Sequence, residues 1–163
     1  PEYFLEAIRK HQSITSLKLV NLHRSCAHLV VFEENNLQNL QDLTLDGCNV
    51  EEEGGAFVAL VLSRNPMLKK LSIDRIRTWS QGIRQLASSL GNHSSLQVLT
   101  ARDNGITDAD FELLAPALLA HPTLKDLDLS KNEISQTTVV ANIISNNSVL
   151  QKLSLHSDSN SNP

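Results

Sequence analysis

Three histidines recur at one place in a repeating pattern, and they are the residues of this chain best suited to hold a metal ion. His11, His93 and His121 each stand three residues before the apolar residue that opens a repeated segment. Neighbouring strands of one sheet would bring His93 and His121 to roughly 5 Å from each other. A structural zinc site needs four ligands, however, and no Cys, Asp or Glu shares this spacing. Asn65 and Asn147 do share it, so we interpret all five as residues that tolerate the special backbone conformation at a helix end, and we predict no metal or other cofactor.

Catalytic motifs are absent from the sequence. Gly54 and Gly55 are not followed by the Lys-Ser or Lys-Thr pair of a phosphate-binding loop. The chain also has no Gly-x-Ser-x-Gly elbow and no His-Glu-x-x-His pair. Cys26 and Cys48 are the only cysteines, and we expect both to be reduced core thiols. We therefore predict that the protein is not an enzyme.

Charged residues that recur every 28 positions form a second set of candidates. Asp46, Asp74 and Arg102 follow one another at this interval, and Arg75 and Asp103 stand directly after two of them. A mixed-charge patch of this kind suits charge-complementary recognition of another protein. The alternative is that Asp74 and Arg102 neutralise each other across neighbouring strands, and the sequence leaves both interpretations open.

Trp79 is the only tryptophan of the chain, and it follows Arg75 and Arg77. Trp and Arg are enriched in the hot spots of protein interfaces, so Trp79 is a candidate apolar anchor. Alternatively, it folds inward to fill the space that Thr78 leaves where an aliphatic residue is usual. The predicted partner-binding residues are Asp46, Asp74, Arg75, Trp79, Arg102 and Asp103.

The elements that position these residues come from a repeat that runs along the whole chain. Its clearest copy is LKDLDLSKNEI at 124–134, and further copies begin at Ile14, Leu40, Leu68, Leu96 and Leu150. The alternating leucines of each copy predict a short strand with one buried face, and the apolar spacing that follows predicts a helix. A fixed period between 20 and 50 residues is typical of a solenoid.

The place where the turn after a strand closes is typically occupied by asparagine in this repeat. Asn104 and Asn132 hold this place in two units, and Cys48 substitutes in another. Because the amide can form hydrogen bonds at both ends, we predict a ladder that satisfies the turns of adjacent coils. Leu22 and Ile76 should interrupt this ladder, so those two turns need another partner, such as water.

Capping residues and glycines predict how the helices begin. Thr107, followed by Asp110, and Ser135 are predicted N-caps. Gly54 and Gly82 occupy equivalent places in two units, which predicts a close approach of the backbone there.

Stop signals predict where the helices end. We expect helices to end before Asn65, before Gly91 and before His121, each close to a Pro, Gly or Asn. Pro116 falls inside the predicted helix 111–120, so we expect a kink or a short break there.

A 28-residue period with a helix in every unit resembles the ribonuclease-inhibitor-like class of leucine-rich repeat proteins. The class includes ribonuclease inhibitor, the Ran GTPase-activating protein, tropomodulin and the sensor arrays of NOD-like receptors. The resemblance implies an α/β solenoid, a horseshoe segment with parallel strands on its concave face and helices on its convex face. It further implies a protein–protein interaction module that binds a macromolecular partner through the concave sheet and adjacent loops. A GTPase-activating regulator and a ligand-sensing array of a NOD-like receptor are the alternatives.

Composition limits the partners and the location. The net charge is −4, with both signs spread along the chain and no basic stripe, which argues against nucleic acid. The apolar runs are too short for membrane insertion, and no signal peptide is visible, so we expect a cytoplasmic protein. We expect 1–156 to be a repeat array of about five to six units, a segment of a longer array. Residues 157–163 are expected to form a disordered polar tail.

Overall fold

The structure, a computed structural model, describes residues 11, 13–21, 39–48, 54–76 and 82–156. The described part contains six three-residue strands and four helices, which alternate from the second strand onward. The strands form one parallel sheet in chain order, namely β1 (Ser16–Lys18), β2 (Asp42–Thr44), β3 (Lys70–Ser72), β4 (Val98–Thr100), β5 (Asp126–Asp128) and β6 (Lys152–Ser154). The described helices are α1 (Gly54–Arg64), α2 (Ile83–Asn92), α3 (Asp108–Ala120) and α4 (Thr137–Asn146). The predicted alternation of short strands and helices is confirmed.

The central leucines of the strands stack in register and bury one face of the sheet. Leu43 pairs with Leu71, Leu71 with Leu99, and Leu99 with Leu127. None of these four leucines is more than 4% exposed, because the helices cover them. The core therefore lies between the sheet and the helices, and the opposite face of the sheet carries the polar side chains.

A hydrogen-bond ladder through Asn132 joins the turns of two coils. Its Oδ1 accepts the backbone N–H groups of Asn104 at 2.9 Å and Ile106 at 3.1 Å. Its Nδ2 donates to the carbonyls of Ala101 at 2.8 Å and Leu129 at 2.7 Å. The amide of one coil thus satisfies the turn of the preceding coil, which confirms the predicted ladder.

The same link reaches the turn at Ile76, where the sequence predicts an interruption. Asn104 Oδ1 accepts the N–H of Ile76 at 2.7 Å, and its Nδ2 donates to the carbonyl of Ile73 at 2.9 Å. At this turn the expected need for another partner, such as water, is wrong, because the Asn of the following coil supplies the hydrogen bonds. Cys48 provides an equivalent contact, since its Sγ donates to the carbonyl of Leu19 at 3.6 Å.

One of the two predicted N-caps is confirmed. Thr107 and Asp110 form a capping box, in which Asp110 N–H donates to Thr107 Oγ1 at 3.3 Å and Thr107 N–H donates to Asp110 Oδ2 at 3.0 Å. Ser135 is not an N-cap, because α4 begins at Thr137 and the Ser135 hydroxyl donates to Asp108 at 2.6 Å. The serine instead donates to the charged carboxylate of the preceding coil, which is a strong acceptor.

Close backbone approach is confirmed at Gly82, which has φ of +86°. A Cβ at this position would overlap the backbone of Ala56 in α1. The glycine at the equivalent place in the preceding unit, Gly54, is buried as the first residue of α1.

Two of the three predicted helix ends are confirmed. The helices α1 and α3 end before Asn65 and His121, whereas α2 continues through Gly91 to Asn92. A Cβ at Gly91 would lie 3.6 Å from the Cβ of Ala117, so this glycine packs against α3 rather than ending α2.

The helix α3 runs through Pro116 without a break. No described helix is long and apolar enough to cross a bilayer.

Several predictions concern residues outside the described part of the chain. They are those made for Leu22, Cys26, Thr78, Trp79 and 157–163.

Truncation of the stacked leucines should cost less at the last strand than in the middle of the array. We expect Leu99→Ala to lower the free energy of unfolding by about 2–5 kcal/mol, because Leu99 is buried between two coils. Leu153→Ala, at the same register position in β6, should cost clearly less because Leu153 is only partly buried. Urea unfolding measures both, and equal losses would contradict a stability that adds up coil by coil.

Removal of the Asn132 amide should lower the free energy of unfolding more than removal of an amide on the exposed surface. Asn132→Ala leaves two buried N–H groups without this acceptor, at about 1–3 kcal/mol for each unsatisfied group. We expect a loss of about 3 kcal/mol or more in thermal or urea unfolding. Asn92→Ala makes the same chemical change on the exposed surface and should stay within about 0.5 kcal/mol of the parent. Similar losses for both variants would show that the ladder adds little.

Candidate protein-binding surface

Three rows of side chains cross the strands on the face of the sheet opposite the helices. The register of the strands defines the first two rows, and backbone hydrogen bonds between successive coils define the third. The first row is Ser16, Asp42, Lys70, Val98, Asp126 and Lys152. The middle row is Lys18, Thr44, Ser72, Thr100, Asp128 and Ser154. The third row is Val20, Asp46, Asp74, Arg102, Ser130 and His156.

The two aspartates of the third row each hold the backbone of the next coil. Asp46 Oδ1 accepts the hydroxyl of Ser72 at 2.7 Å and the N–H of Asp74 at 3.3 Å. Asp74 Oδ1 accepts the N–H of Arg102 at 2.8 Å. Burial raises the pKa of Asp74, and the negative charge of Asp46 adds to this, although the Arg102 N–H acts in the opposite direction. The carboxylates therefore stand side by side in a half-buried row.

The guanidinium of Arg102 forms an ion pair with the next strand, and its charge also acts to lower the pKa of Asp74. Its Nε lies 3.9 Å from Oδ2 of Asp128. Lys152 forms a second ion pair on the same face, with its Nζ 3.3 Å from Oδ2 of Asp126. Asp74 and Arg102 thus meet through a backbone N–H, and among the described residues their side chains form no ion pair with each other.

Arg75 and Asp103 lie in a turn row directly after the third row. The turn row consists of five residues with φ between 53° and 62°, namely Asn21, Gly47, Arg75, Asp103 and Lys131. Each donates its backbone N–H to a third-row carbonyl of the next coil. The structure therefore brings Asp46, Asp74, Arg75, Arg102 and Asp103 into two adjacent rows, whereas Trp79 lies outside the described residues.

A polar cluster at the β5–β6 end of the third row was not among the predicted site residues. Ser130 Oγ lies 2.9 Å from Nδ1 of His156, and Ser130 N–H donates to Oδ1 of Asp128 at 2.9 Å. Burial acts to raise the pKa of Asp128, but hydrogen bonds from Ser130 and the positive charges of Arg102 and His156 outweigh it, so the pKa is lowered. Ser130 and His156 hold the same place in their repeats as Arg102 does, and this spacing could have predicted the cluster from the sequence.

The histidines that suggested a metal site close turns instead. His121 Nδ1 accepts the N–H groups of Thr123 at 3.3 Å and Leu124 at 3.1 Å. His93 Nε2 lies 3.0 Å from the carbonyl of Asn65 in the preceding coil. Among the described residues, no group of three or more His, Cys, Asp or Glu side chains could hold a metal ion.

The explanation from a special backbone conformation is wrong for these positions. His93, His121 and Asn147 are all extended, with φ of −90°, −65° and −93°. Asn147 Oδ1 accepts the N–H groups of Val149 and Leu150 at 2.8 and 2.7 Å. These residues follow Asn147 by two and three positions, just as Thr123 and Leu124 follow His121. His121 and Asn147 can replace each other here because both offer an acceptor to the turn that enters the next strand.

The chain is similar to several known leucine-rich repeat proteins. No protein-family model matches the chain. NACHT, LRR and PYD domains-containing protein 5 from Homo sapiens is 32% identical over 101 residues, 61% of this chain and 8% of that protein. Ribonuclease inhibitor from Sus scrofa is 29% identical over 102 residues, 62% of this chain and 22% of the inhibitor. Leucine-rich repeat-containing protein 73 from Rattus norvegicus is 33% identical over 88 residues, 53% of this chain and 28% of that protein. The tropomodulin C-terminal domain from Caenorhabditis elegans has a TM-score of 0.69 and 12% identity, and the match covers 90% of this chain and 92% of the domain.

The chain folds as a leucine-rich repeat solenoid, and it resembles proteins of the ribonuclease-inhibitor-like class. It spans less than a third of each of the three curated relatives named above. In this solenoid the three rows and the turn row lie on the strand side, and the helices cover the other side. The expected fold class is confirmed.

The buried His121 should make the stability of this repeat protein fall at mildly acidic pH. Burial lowers the pKa of His121 to about 4 from 6.5, and His93 adds to the effect. The unfolded chain therefore binds the proton more readily between pH 6.5 and 4, and the free energy of unfolding falls as pH falls through this window. Each tenfold difference in proton affinity between the two states is worth about 1.4 kcal/mol, so we expect a loss of roughly 3 kcal/mol in urea titrations.

His121→Asn should reduce this loss, because Asn147 shows that an amide can accept the same two turn N–H groups. His11→Asn, at an exposed histidine, is the control and should leave the pH dependence unchanged. The same pH dependence in His121→Asn and in the parent protein would contradict the assignment.

Proposed function

We propose that this leucine-rich repeat protein binds a protein partner through its concave sheet and the adjacent strand-to-helix loops. One observation carries the proposal, namely the contrast between the two ends of the concave face. Toward β5 and β6, Arg102 pairs with Asp128 and Lys152 pairs with Asp126. Among the described residues, Asp46 and Asp74 have no cationic side chain within ion-pair distance.

The raised pKa of Asp74 indicates what such a partner would contribute. Burial raises this pKa, so the ionised carboxylate is less stable here than in water. A Lys or Arg side chain of a partner, placed over Asp46 and Asp74, would stabilise both carboxylates and exclude water from them. The attraction between this cation and the two carboxylates would offset the free-energy cost of burying the Asp74 carboxylate.

The middle row allows a partner to approach the sheet closely beside these carboxylates. Thr44, Ser72 and Thr100 are small, and Thr100 Oγ1 donates to Ser72 Oγ at 2.9 Å, while Ser72 Oγ donates to Asp46. The hydroxyls are thereby held in place, which lowers the entropy cost of binding. The proposed contact set stays as the sequence predicted it, with Trp79 as apolar anchor and Asp46, Asp74, Arg75, Arg102 and Asp103 as charged contacts.

The relatives support a role in protein binding. The name of ribonuclease inhibitor states that it acts on another protein, and that inhibitor is 29% identical to this chain over 102 residues. We extend protein binding, but not that target, to this chain. The buried thiol of Cys48 is consistent with a reducing compartment, so we keep a cytoplasmic location within the proposal.

A second candidate function is a ligand-sensing array within a larger receptor. It is supported by the match to a protein whose name includes NACHT and PYD domains beside its LRR. In that case the concave face would bind the ligand that is sensed, and other domains of the same chain would respond to it.

Affinity capture from cell lysate with the double variant Asp46→Asn/Asp74→Asn tests the proposed surface. Asn keeps an oxygen acceptor for the N–H groups of Asp74 and Arg102, whereas charge reversal would remove it. We expect at least one partner, identified by mass spectrometry, to bind the double variant about tenfold more weakly, roughly 1.4 kcal/mol.

Glu112→Gln is the matched control, because it removes one negative charge from an exposed position on α3. A partner that this control retains and the double variant loses would support the concave face. Equal retention by both variants, with unfolding temperatures like that of the parent, would overturn the proposed site.

A further inference from the structure

Asn104, one of the two ladder asparagines, is followed directly by Gly105, and an Asn-Gly pair occurs only here in the chain. In such a pair the backbone nitrogen of the glycine can attack Cγ of the asparagine side chain. The N–Cγ bond forms, the Cγ–Nδ2 bond breaks and ammonia leaves. Water then opens the resulting succinimide to aspartate or isoaspartate. Glycine favours this ring closure because it has no Cβ to hinder the approach.

The preceding coil holds the side chain that would react. Asn104 Oδ1 accepts the N–H of Ile76 at 2.7 Å, and its Nδ2 donates to the carbonyl of Ile73 at 2.9 Å. The residue is only 2% exposed. Because the reaction releases Nδ2 as ammonia, it cannot proceed while the preceding coil keeps the amide in place.

The following coil holds the backbone on both sides of Gly105. Asn132 Oδ1 accepts the N–H groups of Asn104 at 2.9 Å and Ile106 at 3.1 Å. Glu133 also donates its N–H to the carbonyl of Ile106 at 2.8 Å. Attack on Cγ needs a rotation of the peptide between Asn104 and Gly105, and these hydrogen bonds oppose it. Gly105 itself is exposed, so water reaches this turn.

We propose that Asn104 is a deamidation site that the two neighbouring coils keep unreactive, and that it reacts when either coil contact opens. Local opening is normally reversible, but here it would lead to an irreversible chemical change. The proposal does not depend on the proposed function.

The products would damage the ladder at the place where it supports the concave face. Aspartate at 104 keeps an oxygen for the N–H of Ile76 but has no N–H for the carbonyl of Ile73. It also places a negative charge at a buried position, which is costly without a cationic partner. Isoaspartate lengthens the backbone of the turn that directly follows Arg102 and Asp103.

Asn132 is a matched reference within the same protein. It holds the equivalent place in the next coil, and its Nδ2 likewise donates to a carbonyl of the preceding coil, that of Ala101. It is followed by Glu133 rather than by glycine, and the side chain of Glu133 hinders ring closure. Asn104 and Asn132 therefore share their hydrogen bonds but differ in intrinsic reactivity.

Peptide mapping by mass spectrometry tests the site in the parent protein, incubated at mildly alkaline pH with and without guanidinium chloride. We expect Asn104 to convert at least about tenfold faster in the unfolded chain than in the folded protein. Asn132 should remain unchanged in both. Equal rates at Asn104 in the two states, or no conversion in the unfolded chain, would overturn the proposal.

Asn132→Ala tests the contact with the following coil, because it releases the backbone around Gly105 and leaves the reacting pair intact. We expect Asn104 to convert at least about threefold faster than in Val58→Ala, compared where the two variants are equally folded. Val58→Ala is the control, since it truncates a buried side chain of α1 outside the ladder. Equal conversion in both variants would show that global unfolding alone exposes Asn104, and it would overturn control by the coil contact.

Discussion

The turns at Ile76 and Asn104 each depend on the next coil to satisfy their backbone. Strands of three residues form few hydrogen bonds of their own, and the turns after them would leave buried N–H and carbonyl groups without partners. The amides of Asn104 and Asn132 reach into the preceding coil and satisfy both kinds of group. A single coil is therefore not a stable structure, and stability arises at the contacts between coils. The 28-residue spacing of Asn104 and Asn132 follows from this constraint, because each amide must meet the same backbone groups of the preceding coil.

The constraint also determines what the concave face can present. Asp46 and Asp74 are not free surface charges, since each accepts the backbone N–H of the next coil while it remains half-buried. Their positions are consequently fixed to the register of the sheet, and neither carboxylate can rotate away without a loss of that hydrogen bond. A rigid pair of carboxylates discriminates better between partners than flexible side chains do, because a misplaced cation gains little. The same residues thus link the stability of the solenoid to the recognition that we propose for it.

The sequence predicted the repeats, the strands, the helices and the buried leucines because periodic apolar spacing depends on local geometry alone. It predicted the ladder but not its direction, since nothing local indicates that Ile76 is satisfied by an Asn 28 residues later. A partner 27 residues earlier is equally invisible in a sequence, so Ser135 is predicted to cap a helix although it donates to Asp108 instead. For the binding surface, the row spacing placed Asp46, Asp74 and Arg102 together, but only coordinates show that Arg102 pairs with Asp128.

Backbone strain in the turn row provides an independent argument about the concave side. Arg75 and Lys131 adopt φ of 58° and 61°, a left-handed conformation that costs a residue with a side chain roughly 1–2 kcal/mol. Glycine adopts this conformation freely, and Gly47 does so at the equivalent place two coils from Asp103. The chain nevertheless carries charged residues at Arg75, Asp103 and Lys131, beside the third row. Under the proposed function, these charged side chains extend the surface beside Asp74 and Arg102, which a glycine in their place would not do.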